Sequence, residues 1–287
     1  MAYECHGHII LDGVAYKGAV ERHKSGVDEE FVRHNLRTCV ENNIDFYRDG
    51  GDKHGVSLFA KKIAGEYGVD YRTPVYIILK KGHYGIMFGR AFEDMPGYRS
   101  LVGEVRRLGG DFIKITASNL LDFANGGGVT GPAMQLCELR EMVNIAHGEG
   151  FAVMIHANGA DNIKRAAESG VDSIEHGFYM DSGALEIMVQ TGAVWVPTCA
   201  TVANLIGTGK YDDAMLQGIL DGHKAALLAA QEMGVPIACG SDAGASCVMQ
   251  GKGTCDELEL LESIGIDTEL GNRKIADVFT CYFSRSA

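Results

Sequence analysis

Short apolar runs alternate along the chain with longer segments in which apolar residues recur every three or four positions, the pattern of strands each returned by a helix. Residues 3–11 form the first expected strand, followed by a turn-rich stretch to Gly26. Residues 28–40 start acidic and place Phe31, Val32, Leu36, Cys39 and Val40 on one helical face. A second strand at 44–49 and an amphipathic helix at 56–67, closed by Gly68, follow. The run Val75-Tyr76-Ile77-Ile78-Leu79 reads as a strand buried on both faces, with its helix at 98–108. A fourth strand at 111–116 leads through a glycine-rich loop at 126–128 to a helix at 134–147. The spacing then tightens: strands at 151–156, 172–176, 193–197 and 235–240 alternate with helices at 161–169, 182–190, 213–233 and 256–264. A last helix within 267–287, carrying Val278-Phe279 and Tyr282-Phe283, is expected to cover the barrel bottom. Strands that each return through a helix require parallel pairing with right-handed crossovers, and eight such units can close on themselves. The chain is therefore expected to be one α/β domain over residues 1–287, a (β/α)8 TIM barrel. No Gly-x-Gly-x-x-Gly turn follows the first strand, which argues against an open dinucleotide-binding sheet.

Composition narrows the partners. With 287 residues, 46% hydrophobic and 22% charged, the chain can bury a large core. A net charge of -12 argues against nucleic acid or an anionic membrane, since phosphates need clustered Lys and Arg. A small-molecule substrate is the expected partner, with self-association into a homo-oligomer left open. The first thirty residues show no leader pattern, and aliphatic stretches such as 225–230 are too short for a bilayer, so a cytoplasmic location is expected. Eight Cys without a Cys-x-x-Cys are expected to be reduced thiols.

The polar residues collect where a barrel does its chemistry, at the C-terminal ends of the strands. His6 and His8 lie two apart on the first strand and so share a face. Lys114 comes late in the fourth strand, His156 ends the fifth, His176 ends the sixth, and Asp242 follows the eighth. Taken singly, His156 could end a strand, Asp242 could begin a helix and Lys114 could snorkel outward. None of these explains why all six share one end. Imidazoles and a carboxylate on one rim are ligand types for zinc or a similar divalent transition metal.

The segments Glu4-Cys5-His6-Gly7-His8, Phe112-Ile113-Lys114-Ile115, Ile155-His156-Ala157-Asn158-Gly159, Ser173-Ile174-Glu175-His176-Gly177-Phe178-Tyr179 and Gly240-Ser241-Asp242 together resemble the metal-dependent amidohydrolase superfamily, nearest its imidazolonepropionase-like and Xaa-Pro dipeptidase-like branch. The resemblance covers almost the whole chain. It implies two zinc ions per chain, other divalent transition metals being open: His6, His8 and Asp242 on one, His156 and His176 on the other, and a carboxylated Lys114 bridging both. A neutral lysine amine can add carbon dioxide to give an anionic carbamate, and burial disfavours the competing ammonium. A water shared by two such ions is hydroxide near neutral pH, and Asp242 is the expected proton carrier to the leaving nitrogen. The implied activity is hydrolysis of an amide, peptide or cyclic-amide C–N bond in a small molecule. The resemblance further implies His83 and Tyr179 as substrate contacts, with Arg48 and Asn158 as secondary candidates. His23, His34, His54, His147 and His223 are expected on the surface or in packing. A mononuclear imidazolonepropionase-like hydrolase or deaminase is one alternative, although Ala157 to Ala160 lack the Glu of the deaminase pattern. A non-catalytic metal-binding barrel is another. The chain departs from its relatives in three places: no room before the first strand for their accessory β-sandwich, Ser118-Asn119-Leu120-Leu121 where Ser-Gly-Gly is usual after the lysine, and no strand-forming segment after Ile266.

Overall fold

The computed structural model describes residues 2–280. Its strands are β1 Ala2–Gly7, β2 Ile44–Asp49, β3 Asp70–Arg72, β4 Ile77–Lys80, β5 Gly89–Phe92, β6 Ile113–Thr116, β7 Leu121–Asp122, β8 Gly128–Val129, β9 Val153–Ala157, β10 Ser173–His176 and β11 Val194–Val196. The α-helices are α1 Tyr16–Arg22, α2 Glu29–Glu41, α3 Val56–Ile63, α4 Met95–Arg107, α5 Leu136–Gly148, α6 Ala160–Glu168, α7 Ser182–Thr191, α8 Ala200–Ala203, α9 Asp213–Met233, α10 Lys252–Ser263 and α11 Glu269–Val278. Several begin where an aspartate satisfies a free backbone N–H: Asp28 caps α2 through Phe31 N, Asp181 caps α7 through Ala184 N and Asp212 caps α9 through Met215 N.

Parallel pairing runs β1-β2-β3 in one sheet and β11-β10-β9-β6-β4-β5 in another. The two meet around the expected third strand, 75–79, of which only the part from Ile77 joins a ladder. β3, upstream of that run, bonds β2, and β4 bonds β6. Between them Pro74 supplies no N–H and Val75 takes a left-handed φ of 70°, so no single ladder can run through. The eighth expected strand, 235–240, likewise forms bridges rather than a ladder. Ala238 N donates to Trp195 O and Trp195 N to Pro236 O on one side, while Cys5 N donates to Cys239 O and Asp242 N to His6 O on the other. This segment joins β11 to β1, giving a (β/α)8 barrel whose hydrogen-bonded ladder is interrupted at both places.

Other differences are local. β1 stops at Gly7 because the chain turns at His8, whose carbonyl accepts Leu11 N. The stretch before Gly26 contains α1, β5 adds a parallel edge beside β4, and the glycine-rich loop is a small β7–β8 hairpin. Inside the barrel bottom Phe112, Met154, Val194 and Val196 pack against Ile275 and Phe279 at the end of α11, which plugs that end as expected. Tyr282-Phe283 lies outside the described residues. The seven cysteines among the described residues are free thiols, and no helix there is long and apolar enough to cross a membrane.

Candidate metal centre

All six residues singled out at the strand ends lie on the same face of the barrel. His6, His8 and Asp242 form one group, their ligand atoms all within 4.8 Å of one another. Asp242 Oδ1 is 3.6 Å from His8 Nε2 and 3.9 Å from His6 Nε2. The rings of His156 and His176 lie 4.5 Å apart, and His176 is 4.9 Å from His6. Lys114 Nζ is 3.5 Å from His6 Nε2.

The backbone at the ends of the sixth, seventh and eighth strands is held in the left-handed region, at His176 (φ 66°), Thr198 (φ 51°) and Asp242 (φ 60°). Such positions cost about 1–3 kcal/mol each in ordinary residues, and they concentrate where a side chain has to be aimed. A glycine makes room on the other side. A Cβ on Gly50 would stand 2.2 Å from Cε1 of His8, so the imidazole has its place only because residue 50 carries no side chain. Gly50→Ala is expected to displace His8, destabilise the protein by about 1–3 kcal/mol and weaken metal binding, read by chemical denaturation and zinc titration.

Each imidazole but one has a nitrogen already engaged. The Glu175 carboxylate accepts from His6 Nδ1 at 2.7 Å, and the Asn119 carbonyl accepts from His156 Nε2 at 3.2 Å. Thr198 Oγ1 meets His176 Nδ1 at 2.8 Å. The first two contacts leave lone pairs at His6 Nε2 and His156 Nδ1, since a carboxylate or carbonyl takes only a proton donor, whereas the Thr198 hydroxyl can pair with either tautomer of His176. His8 Nδ1 is buried without a partner among the described residues. Burial holds all four imidazoles neutral, with His8 lowered to about 3 and His156 to about 4. Burial also lowers the Lys114 ammonium and raises the Asp242 carboxyl. Neutral nitrogens converging with a carboxylate are what a divalent ion needs, because a protonated imidazole or ammonium cannot bind one. The residues fit the metal.

The strongest support around the site comes from residues to which the sequence assigned another role or none. Arg48, entirely buried, bonds both Glu175 oxygens at 3.0 Å, Ser173 Oγ at 2.8 Å and the Cys5 carbonyl at 2.6 Å, with its guanidinium 4.3 Å from the Phe279 ring centre. Arg48 is thus a second-layer support, not a substrate contact. Glu4, also buried, accepts from His6 N, Ser241 N, Ser241 Oγ and Thr254 Oγ1, tying the first strand to the eighth. Asp49 accepts from Ile9 N and Tyr71 OH just behind His8. The available signal was a charged residue inside each otherwise buried strand, because an unpaired charge there is prohibitive.

Asn158 accepts from Phe178 N and is buried in the loop packing. Tyr179 is 42% exposed, and its hydroxyl donates to Gly127 O of the hairpin at 2.6 Å. The His83 imidazole is half-buried, and burial, with the Lys80 charge after it, lowers its pKa. Of the remaining histidines, His223 is buried and stacked on Phe178 with ring centres 4.2 Å apart.

The amidohydrolase family profile matches residues 29–277. That span contains Lys114, His156, His176 and Asp242, while His6 and His8 precede it. An uncharacterized protein of Mycobacterium tuberculosis is 28% identical over 185 residues, 62% of this chain and 49% of that protein. The chain thus spans about half the length of that curated relative. Ochratoxinase of Aspergillus niger is 33% identical over 110 residues, 37% of this chain and 23% of its own. Among solved structures, a Xaa-Pro dipeptidase with methionine bound in its active site superposes at TM-score 0.73 and 21% identity, over 99% of this chain and 74% of that one. The A. niger ochratoxinase structure superposes at 0.76 and 23% identity, over 96% and 69%. At such identities the superpositions speak for the fold.

Proposed function

The chain belongs to the amidohydrolase family, a family of hydrolases, and on that premise we propose that it cleaves an amide, peptide or cyclic-amide C–N bond in a small molecule with two divalent ions, zinc foremost. The observation that carries this reading is the set of four neutral imidazoles, one buried amine and one carboxylate aimed at a common space. His6, His8 and Asp242 would hold one ion and His156 and His176 the other, with Lys114 between them after its neutral amine adds carbon dioxide and releases a proton. When bound, the ions would polarise the substrate carbonyl and acidify a water. Asp242 takes a proton from the attacking water and passes it to the leaving nitrogen. The water oxygen ends on the carbonyl carbon, the C–N bond breaks, and the nitrogen departs with that proton.

The similarity to a Xaa-Pro dipeptidase and to ochratoxinase supports a peptide-like substrate. A panel of dipeptides, N-acyl amino acids and cyclic amides tests the reading on metal-loaded protein. Turnover abolished by chelation and restored by zinc is the expected result, and no turnover across the panel would leave a metal-binding barrel without this activity.

A one-ion form is the second reading. It is favoured by His6, His8 and Asp242 being the one group of three or more His, Cys, Asp and Glu ligands among the described residues close enough to share an ion. Metal analysis separates the two, at about two or about one per chain.

A further inference from the structure

We infer that Tyr84 donates the hydrogen bond that holds the substrate carbonyl oxygen, and the oxyanion it becomes, over the His156 side of the centre. This assignment rests on the hydrolase reading above and gives it a specific donor.

Tyr84 lies in the loop after β4 and is fixed there by the residues that build the centre. Its backbone N–H donates to Asn119 Oδ1 at 3.3 Å, and its carbonyl accepts from Thr116 Oγ1 at 3.1 Å. Thr116 is two residues beyond Lys114 and so shares its face of β6. Asn119 is the residue whose own carbonyl accepts from His156 Nε2. One asparagine therefore orients the histidine through its backbone and the tyrosine through its side chain. The Tyr84 ring stands 5.4 Å from the His156 ring, tilted by 44°.

Its hydroxyl is available. Tyr47, Tyr71, Tyr76 and Tyr179 each donate to a protein acceptor, namely Gln250 Oε1, Asp49 Oδ2, Leu101 O and Gly127 O. The Tyr84 hydroxyl has no hydrogen-bond partner among the described residues and is not sealed from solvent. A phenol is protonated throughout the neutral range, so this hydroxyl is a donor there. Asp242 takes and gives a proton during hydrolysis. A neutral donor that cannot compete for that proton suits the carbonyl oxygen, where negative charge develops and a preorganised donor contributes most.

The Tyr179 hydroxyl bonds Gly127 O and so anchors the β7–β8 hairpin, whose Phe123 ring reaches Tyr211, 5.4 Å away, in the loop between α8 and α9.

Tyr84→Phe removes only the hydroxyl. On the best substrate of the panel it is expected to lower kcat about a hundredfold, with metal content and thermal melting unchanged. A phosphonate analogue of the tetrahedral state should bind the variant at least tenfold more weakly than wild type, in a titration that needs no turnover. Wild-type kcat together with wild-type phosphonate affinity in Tyr84→Phe would overturn the assignment. If metal-loaded wild type binds the phosphonate but hydrolyses nothing, the hydrolase reading fails while the affinity difference still decides Tyr84. No phosphonate binding by wild type overturns both.

Discussion

Lys114→Ala is expected to bind fewer than two ions and to lose more activity than the ~10- to 100-fold that removing an outer partner of a metal ligand costs. The second ion would keep His156 and His176 alone from the protein, and two cations would face each other without an anion between them. Lys114→Arg is expected to fail as badly, because a guanidinium stays protonated and cannot add carbon dioxide. Acetate or propionate could fill the space left in Lys114→Ala, so activity should rise with carboxylate concentration. Were Lys114 an ordinary ammonium gripping substrate, the alanine variant would keep its metals and show mainly a raised KM. Metal analysis, kinetics and carboxylate titration on one variant discriminate these outcomes.

The second large effect is expected at Glu175, through two routes that can be measured apart. Its carboxylate holds the proton on His6 Nδ1 and is itself held by the buried Arg48. Glu175→Gln would leave that guanidinium without its counter-charge inside the barrel, destabilising the protein by about 3–5 kcal/mol. It would also loosen the tautomer and orientation of His6, weakening the first ion about 10- to 100-fold. Arg48→Met combined with Glu175→Gln separates the routes. The double variant should recover much of the stability, since no charge is then left buried without its partner, and should keep the weakened affinity. Chemical denaturation reads the first quantity and zinc titration the second. If affinity returns along with stability, Glu175 acts on the fold and not on His6.

Most of the barrel could be read from the chain because its strands are short buried apolar runs and its helices carry one apolar face. Asp28 and Asp181 mark helix starts through a mechanism local to a few residues. What escaped was set by distant partners. Val75 to Leu79 has the composition of one continuous strand, yet only its part from Ile77 pairs, with β6, while β2 is served by Asp70–Arg72 on the other side of the break at Pro74 and Val75. The eighth strand looks regular in sequence but must satisfy β1 and β11 at once, and Pro236 offers no donor. The metal ligands were legible because imidazoles at strand ends have few ordinary explanations. Glu175 was not: simple alternation would turn it away from a neighbour such as His176, and only the left-handed turn at His176 lets both face the centre. Tyr84 adjoins the predicted contact His83, and no local pattern distinguishes the two. Their difference comes from Asn119, 35 residues away.

The central claim is that two ions share the space between His6 and His176 with Lys114 between them. A zinc-edge anomalous difference map from crystals grown with zinc and bicarbonate tests it in one measurement. The account predicts two peaks about 3.5–4 Å apart, one against His6, His8 and Asp242 and one against His156 and His176, with carbamate density extending Lys114 Nζ to both. One peak at His6, His8 and Asp242, beside an unmodified Lys114 turned away from His156 and His176, would contradict it.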